Sequence, residues 1–117
     1  MNINKDLMAA SAPPLVLAIL AEGDSYGYAI IKRVKDLSGG QLQWTDGMLY
    51  PVLHRLERLD FIKARWGKSE TGRKRKYYRL TTLGNTQLGE HRQQWHAVDQ
   101  ALRMVWKFGG KDLIAGY

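Results

Sequence analysis

The strongest chemical signal in the 117-residue sequence is a cluster of positive charge between Lys63 and Arg79. This window holds eight basic residues and one acidic residue, Glu70, so it accounts for the whole formal net charge of +7. Four of the cations are consecutive, and we expect them to repel one another and to carry no apolar anchor. We expect them to neutralise phosphates or to enter a minor groove. The predicted contacts are Lys68, Arg73, Lys74, Arg75 and Lys76.

Two other uses of such a window are less well supported. A charged loop that serves only solubility usually mixes both signs, which this one does not. Membrane-binding cations usually lie on an amphipathic helix, whereas these lie within a predicted strand pair. The cluster therefore indicates a nucleic-acid partner and no membrane.

A second set of polar side chains lies on the outward face of a predicted helix, residues 46–59. Tyrosine, histidine and arginine can reach phosphates or base edges, and a glycine lets the backbone approach closely. The alternative is an ordinary solvated helix face. The predicted DNA contacts of this helix are Gly47, Tyr50, His54, Arg55 and Arg58.

Catalytic and metal-binding patterns are missing from the sequence. There is no glycine-rich phosphate loop and no Gly-x-Ser-x-Gly. His91 and His96 are five residues apart and diverge on a helix, whereas a metal pair needs a spacing of about four. We therefore expect no enzyme, no cofactor and no metal. The lack of cysteine, signal peptide and membrane span agrees with a cytoplasmic protein.

Hydrophobic periodicity predicts the elements that position these residues. A first helix starts at Ser11, with Pro13 and Pro14 in its first turn, and a second covers residues 26–37 with Ser25 as its cap. Its core face includes Tyr26 and Leu37. A third helix, capped by Thr45 or Asp46, runs to about residue 59 with Leu59 buried, although Pro51 conflicts with a regular start.

Two alternating segments, residues 61–66 and 76–80, predict a β-hairpin. Ile62, Ala64 and Trp66 share one face of the first strand. A charged, turn-rich loop, residues 67–74, joins the two strands. A long helix then covers residues 82–106, and its glycines Gly84 and Gly89 require packing to hold them.

The long helix carries a seam with a 3.5-residue repeat, which is typical of a helix that packs along another helix. In the homodimer that the family resemblance described below implies, this seam would form part of the interface. The seam consists of Leu88, His91, Trp95, Val98, Leu102 and Val105.

Three helices, a basic hairpin and a long helix predict a mostly α winged helix-turn-helix with a small β wing. The predicted DNA-binding domain is residues 11–81, with residues 82–106 as a dimerisation helix of the same compact unit and residues 107–117 as a flexible tail. A two-fold dimer would bind double-stranded DNA at an inverted repeat.

The sequence resembles the PadR family of transcriptional regulators over roughly residues 15–106. Three motifs in the family's order carry this resemblance: YGYAII at 26–31, MLYPVLHRLE at 48–57 and GRKRKYYRLT at 72–81. It implies a homodimeric winged-helix repressor whose first and last helices form the dimer interface, Tyr50 as a phosphate contact, residues 72–76 as the wing, and a reader helix that includes Pro51. Lys74 stands where the family often has proline, which implies a less rigid, more basic wing.

The resemblance also implies an effector site. Two-fold symmetry would bring Trp95 near the equivalent tryptophan of the second subunit, and such a pair can stack a planar ligand. The candidate residues are Trp95, Val98, Asp99, and Met8 or Leu15, although Trp95 could equally be a bulky interface residue. The predicted function is thus a repressor relieved by a small planar, aromatic or hydrophobic effector. The alternative is a winged-helix module that binds protein or RNA and senses no small molecule.

Overall fold

The fold is described by a computed structural model that covers residues 1–108. Its elements are α1 (Lys5–Glu22), α2 (Gly27–Leu37), α3 (Asp46–Arg58), β1 (Ile62–Lys68), β2 (Lys74–Leu80) and α4 (Thr82–Phe108). The predicted mostly α class with a small β wing is confirmed. The last helix continues to Phe108, two residues beyond its predicted end, and the remainder of the predicted tail lies outside the described residues.

The first helix begins six residues before the predicted start at Ser11. Asn4 caps it, because its side chain accepts a hydrogen bond of 2.8 Å from the Asp6 N–H. Pro13 and Pro14 lie inside the helix and leave the carbonyls of residues 9 and 10, both exposed, without their usual donors. The helix survives these losses because its following turns are buried in the core through Val16, Leu17, Ile19 and Leu20.

Ser25 does not cap α2, so this prediction is wrong. Its backbone pairs with the outer edge of β2 through Ser25 N–H to Tyr78 O (3.1 Å) and Tyr78 N–H to Ser25 O (2.7 Å). The free edge of a two-stranded sheet offers unpaired backbone groups, and these outcompete local capping. Tyr26 is the N-cap and has no side-chain capping bond. Leu37, predicted in the core, is exposed.

Of the two predicted caps, Thr45 and Asp46, it is Thr45 that caps α3, and it accepts a hydrogen bond from the Met48 N–H at 3.3 Å. Pro51 lies within a continuous helix, where its missing N–H falls on the exposed side. Leu49, Leu53 and Leu56 are buried as expected, whereas Leu59 caps the C-terminus and is exposed.

The wing is longer than predicted. Its antiparallel register runs from Ile62 opposite Leu80 to Lys68 opposite Lys74, so only residues 69–73 form the turn. The Ser69 N–H closes this turn on the Arg73 carbonyl at 2.8 Å. Lys68 and Lys74, expected in a loop, are therefore paired strand residues. Trp66 is on the predicted face but is 63% exposed, because the strands extend beyond the core.

The start of α4 is fixed against the end of α3 and the first strand. Thr81 donates its hydroxyl to the Asp60 carbonyl (2.6 Å) and accepts a hydrogen bond from the Gly84 N–H (2.9 Å). Gly84 is buried, as is Leu88 one turn later. Residues 96–107 of α4 are exposed, so this half of the helix projects from the body.

Candidate nucleic-acid interface

The N-terminus of α2, one flank of α3 and the wing surround an open cleft of about 530 Å³. Aromatic and basic side chains both line it, an arrangement suited to a nucleic acid. The lining residues are Tyr26, Gly27, Tyr28, Tyr50, Trp66, Arg73, Lys74, Arg75 and Lys76.

Tyr50 is packed closely onto the first residue of α2. A Cβ placed on Gly27 would lie 2.7 Å from the Tyr50 hydroxyl oxygen, so a larger residue at this position would force the Tyr50 side chain to shift. Tyr50 is nevertheless 39% exposed and reaches the cleft. Gly27, the first residue of α2, thus leaves the space that the Tyr50 hydroxyl occupies.

The predicted contacts of α3 are divided between its outward face and its two flanks. Gly47, His54 and Arg58 are exposed on the outward face. Tyr50 and Arg55 differ by about 140° around the helix axis. Accordingly, Tyr50 lies in the cleft, while Arg55 lines a different groove of about 470 Å³ between α1, α3 and α4.

The basic run of the wing is not free of anchors, contrary to the sequence-based expectation. Because strand residues alternate, Lys74 and Lys76 share one face, whereas Arg75 lies on the other. Lys74 Nζ is 5.1 Å from the centre of the Trp66 ring. Lys76 Nζ is 3.9 Å from a Glu57 carboxylate oxygen. The cations are therefore held in distinct directions.

A second set of stacked groups lies on the Arg75 face. The Arg75 guanidinium carbon is 3.8 Å from the centre of the Tyr26 ring. The Tyr26 and Tyr77 rings meet edge to face at 5.6 Å, and the Arg65 guanidinium carbon is 4.8 Å from the Tyr77 ring centre. Asp24 pairs with Arg65 at 3.5 Å.

Sequence reasoning missed three aromatic residues of the cleft. Tyr26 was assigned to the core face of α2, whereas Tyr28 and Trp66 were not considered as contacts. Trp66 lies between Arg65 and Lys68, and this interleaving of aromatic and basic residues, common at nucleic-acid surfaces, could have identified it. No such pattern surrounds Tyr26 and Tyr28 in the sequence.

Tyr78 anchors the base of the wing in the core and is 1% exposed. Burial raises the pKa of its phenol to about 12, and Glu57 and Tyr50 contribute further. Its hydroxyl has no hydrogen-bond partner among residues 1–108. Tyr78 is thus neutral at physiological pH and adds no negative charge beside the cationic cleft.

The predicted effector residues are only partly brought together. An apolar groove of about 310 Å³ between α1 and α4 is lined by Leu15, Leu88, His91 and Trp95, among others. Val98 joins Trp95 in a shallower hollow beside it. Met8 and Asp99 do not line either groove. The Asp99 carboxylate instead accepts a hydrogen bond of 2.8 Å from Arg103.

Of the predicted seam residues, Leu88 is buried, and His91 and Trp95 are half-buried. The other three are exposed in the single chain: Val98, Leu102 and Val105. Within residues 1–108 we find no group of histidine, aspartate and glutamate side chains that could hold a metal ion. No helix in this part of the chain combines the length and apolar character needed to span a membrane.

Comparison with known sequences gives a consistent result. The profile of the "Transcriptional regulator PadR-like family" matches residues 16–90. The chain is 32% identical over 100 residues to a Lysinibacillus sphaericus protein called "Uncharacterized protein X", covering 86% of this chain and 92% of that one. It is also 32% identical over 89 residues to the Escherichia coli "Transcriptional regulator YqjI", where the match covers 76% of this chain and 41% of that longer protein.

Solved structures show the same architecture. A transcriptional regulator from Clostridium thermocellum superposes with a TM-score of 0.78 at 29% identity, covering 87% of this chain and 96% of that one. A PadR family transcription regulator from Clostridium difficile superposes with a TM-score of 0.70 at 30% identity, covering 80% and 95%. The two agree with the arrangement of helices and wing described above.

Proposed function

Because the chain belongs to the PadR-like family of transcriptional regulators, which are DNA-binding regulators and not enzymes, we propose that it is a homodimeric repressor of an inverted-repeat operator. The observation that carries this proposal is the basic, aromatic-lined cleft between α3 and the wing. We further propose that a small planar or hydrophobic effector relieves repression. As a regulator of transcription it would act in the cytoplasm.

The exposed face of α3 enters the major groove in this proposal, and the wing follows the adjacent backbone. Gly47, His54 and Arg58 face the bases. Tyr50, Arg55 and Arg73 contact phosphates on either side, and Arg75 enters a minor groove. The flanking positions of Tyr50 and Arg55 on α3 support this division.

The projecting half of α4 supports a dimer. Val98 is 54% exposed and Val105 58% exposed, and they lie on the same side of the helix as Leu102. In a monomer this apolar stripe would be exposed to water, whereas a two-fold partner would bury it. The two reader helices would then contact half-sites about 34–36 Å apart, or a multiple of that distance.

The test of this function is footprinting of the purified protein on the DNA just upstream of its own gene, together with selection from random duplexes. We expect protection of an inverted repeat and steep salt dependence. Equal binding to duplex RNA, or no binding to duplex DNA at low ionic strength, would favour the protein- or RNA-binding alternative and refute the proposal.

Arg73, at the tip of the wing, offers a test of the electrostatic contact. In the Arg73→Ala variant, we expect the slope of log affinity against log salt to fall by about one unit on every duplex, because one phosphate contact is lost. Arg73→Lys retains the charge and should retain the slope. An unchanged slope in Arg73→Ala would place the wing tip away from the DNA backbone.

The effector proposal depends on Trp95 in the groove between α1 and α4. Titration with planar hydrophobic dyes should quench tryptophan fluorescence in the wild type and release bound operator. Trp95→Ala should lose most of the quenching, whereas Trp66→Phe, which changes a tryptophan outside this groove, should keep it. Equal quenching of wild type and Trp95→Ala would remove Trp95 from the effector site.

A further inference from the structure

Arg75 is the wing cation with the closest aromatic contact in the cleft. Its guanidinium carbon lies 3.8 Å from the centre of the Tyr26 ring, and both residues are half-buried. Lys74 and Lys76 lie 5.1 and 5.6 Å from their ring centres, on the opposite face of the strand. Arg75 therefore has a more defined side-chain position than its two neighbours.

The contact with Tyr26 is one end of a continuous stack that we name the ladder: Arg75, Tyr26, Tyr77 and Arg65. Tyr26 immediately precedes α2, Arg65 lies on β1, and the other two residues lie on β2. The ladder thus joins both strands of the wing to the start of α2. Asp24 holds its far end through the ion pair with Arg65.

A glycine makes room for this ladder. Gly67 lies directly opposite Arg75 in the strand register. A Cβ at this position would lie 3.0 Å from the Tyr77 ring and 3.1 Å from an Arg65 guanidinium nitrogen. The absence of a side chain at residue 67 therefore lets Tyr77 and Arg65 pack across the strand pair.

We propose that Tyr26 is a positioning residue for Arg75 and thereby a determinant of operator specificity. The inference rests on the proposed DNA-binding function and adds a role for a residue outside the reader helix. A guanidinium held over a ring keeps N–H groups free to donate to acceptors on the base edges in a groove, which carry the sequence information that phosphates lack. Its orientation is set before binding, so less side-chain entropy is lost in the complex.

The test is a double-mutant cycle on the selected duplex and on a scrambled duplex of equal length. Tyr26→Leu removes the ring face, Tyr26→Phe retains it, and Arg75→Ala removes the cation. We expect Tyr26→Leu to weaken operator binding about three- to ten-fold and scrambled-duplex binding less than about two-fold. Tyr26→Phe should bind as the wild type does. In an Arg75→Ala background, Tyr26→Leu should have no further effect, because the group it positions is gone.

Two results would overturn the proposal. One is the same loss from Tyr26→Leu with and without Arg75, which would mean that Tyr26 acts through the fold alone. The other is an equal loss on both duplexes. A wild-type protein that binds no duplex at all would instead refute the proposed function.

A measurement without DNA separates these failures. The Arg75 Nε–H proton, observed by NMR, should show a ring-current shift in the wild type and in Tyr26→Phe, and lose it in Tyr26→Leu. If this proton in the wild type has the chemical shift of a solvent-exposed arginine, the ladder is refuted, whether or not the protein binds DNA.

Discussion

Replacing Gly84 by alanine should unfold or severely destabilise the protein. A Cβ at this position would lie on the Phe61 carbonyl and 2.8 Å from a Leu80 methyl carbon. The obstacle is mainly backbone, and the Thr81 bonds to Asp60 and Gly84 hold the two segments together. We expect a loss of about 3 kcal/mol or more in the free energy of unfolding, at the upper end of overpacking effects. Urea titration followed by circular dichroism would measure it.

Gly89 on the same helix is the matched control. Its Cβ position is open, and the residue is exposed. Gly89→Ala should therefore stabilise the chain by about 0.5–1 kcal/mol through helix propensity alone. Equal stabilities of Gly84→Ala and wild type would show that α4 does not begin against the carbonyl of Phe61.

The second large effect is expected from Leu102→Glu. Leu102 is 42% exposed in the single chain and lies on the proposed dimer seam. At a two-fold interface, the variant would bury two unpaired carboxylates, at a cost of several kcal/mol. We expect monomers in sedimentation experiments and roughly a hundred-fold weaker binding to the operator, because the contacts of two half-sites are no longer linked.

Gln100→Glu introduces the same charge on another face of α4 and should leave the dimer intact. Circular dichroism should show both variants folded, because neither residue packs on the core of the single chain. A Leu102→Glu protein that dimerises with wild-type affinity would place the interface elsewhere and would contradict the assignment of the seam.

The sequence alone determined the features that depend on local pattern. The 3.6-residue period of Leu49, Leu53 and Leu56 indicated α3, and Thr45 was one of the two residues predicted to cap it. The alternation after Phe61 indicated the hairpin. Such features follow from short-range sterics and from which face must leave water, so they can be predicted without knowledge of distant partners.

Features that depend on distant segments were decided by the tertiary structure. The first helix passes through two prolines because its buried face compensates for lost hydrogen bonds. Ser25 leaves its capping role because the edge of β2, more than fifty residues later in the chain, offers backbone partners. Neither outcome can be predicted from a short stretch of sequence, because the deciding partner lies far away in the chain.

The basic run of the wing shows the same division. Its charge, and hence its affinity for a polyanion, could be read from composition. The direction in which each cation points could not be read from composition, because strand pairing places Arg75 on one face and Lys74 and Lys76 on the other. The rings that hold these cations come from the start of α2 and from both strands. Electrostatic attraction is a property of summed charge, whereas the orientation of each cation is set by the surface on which it packs.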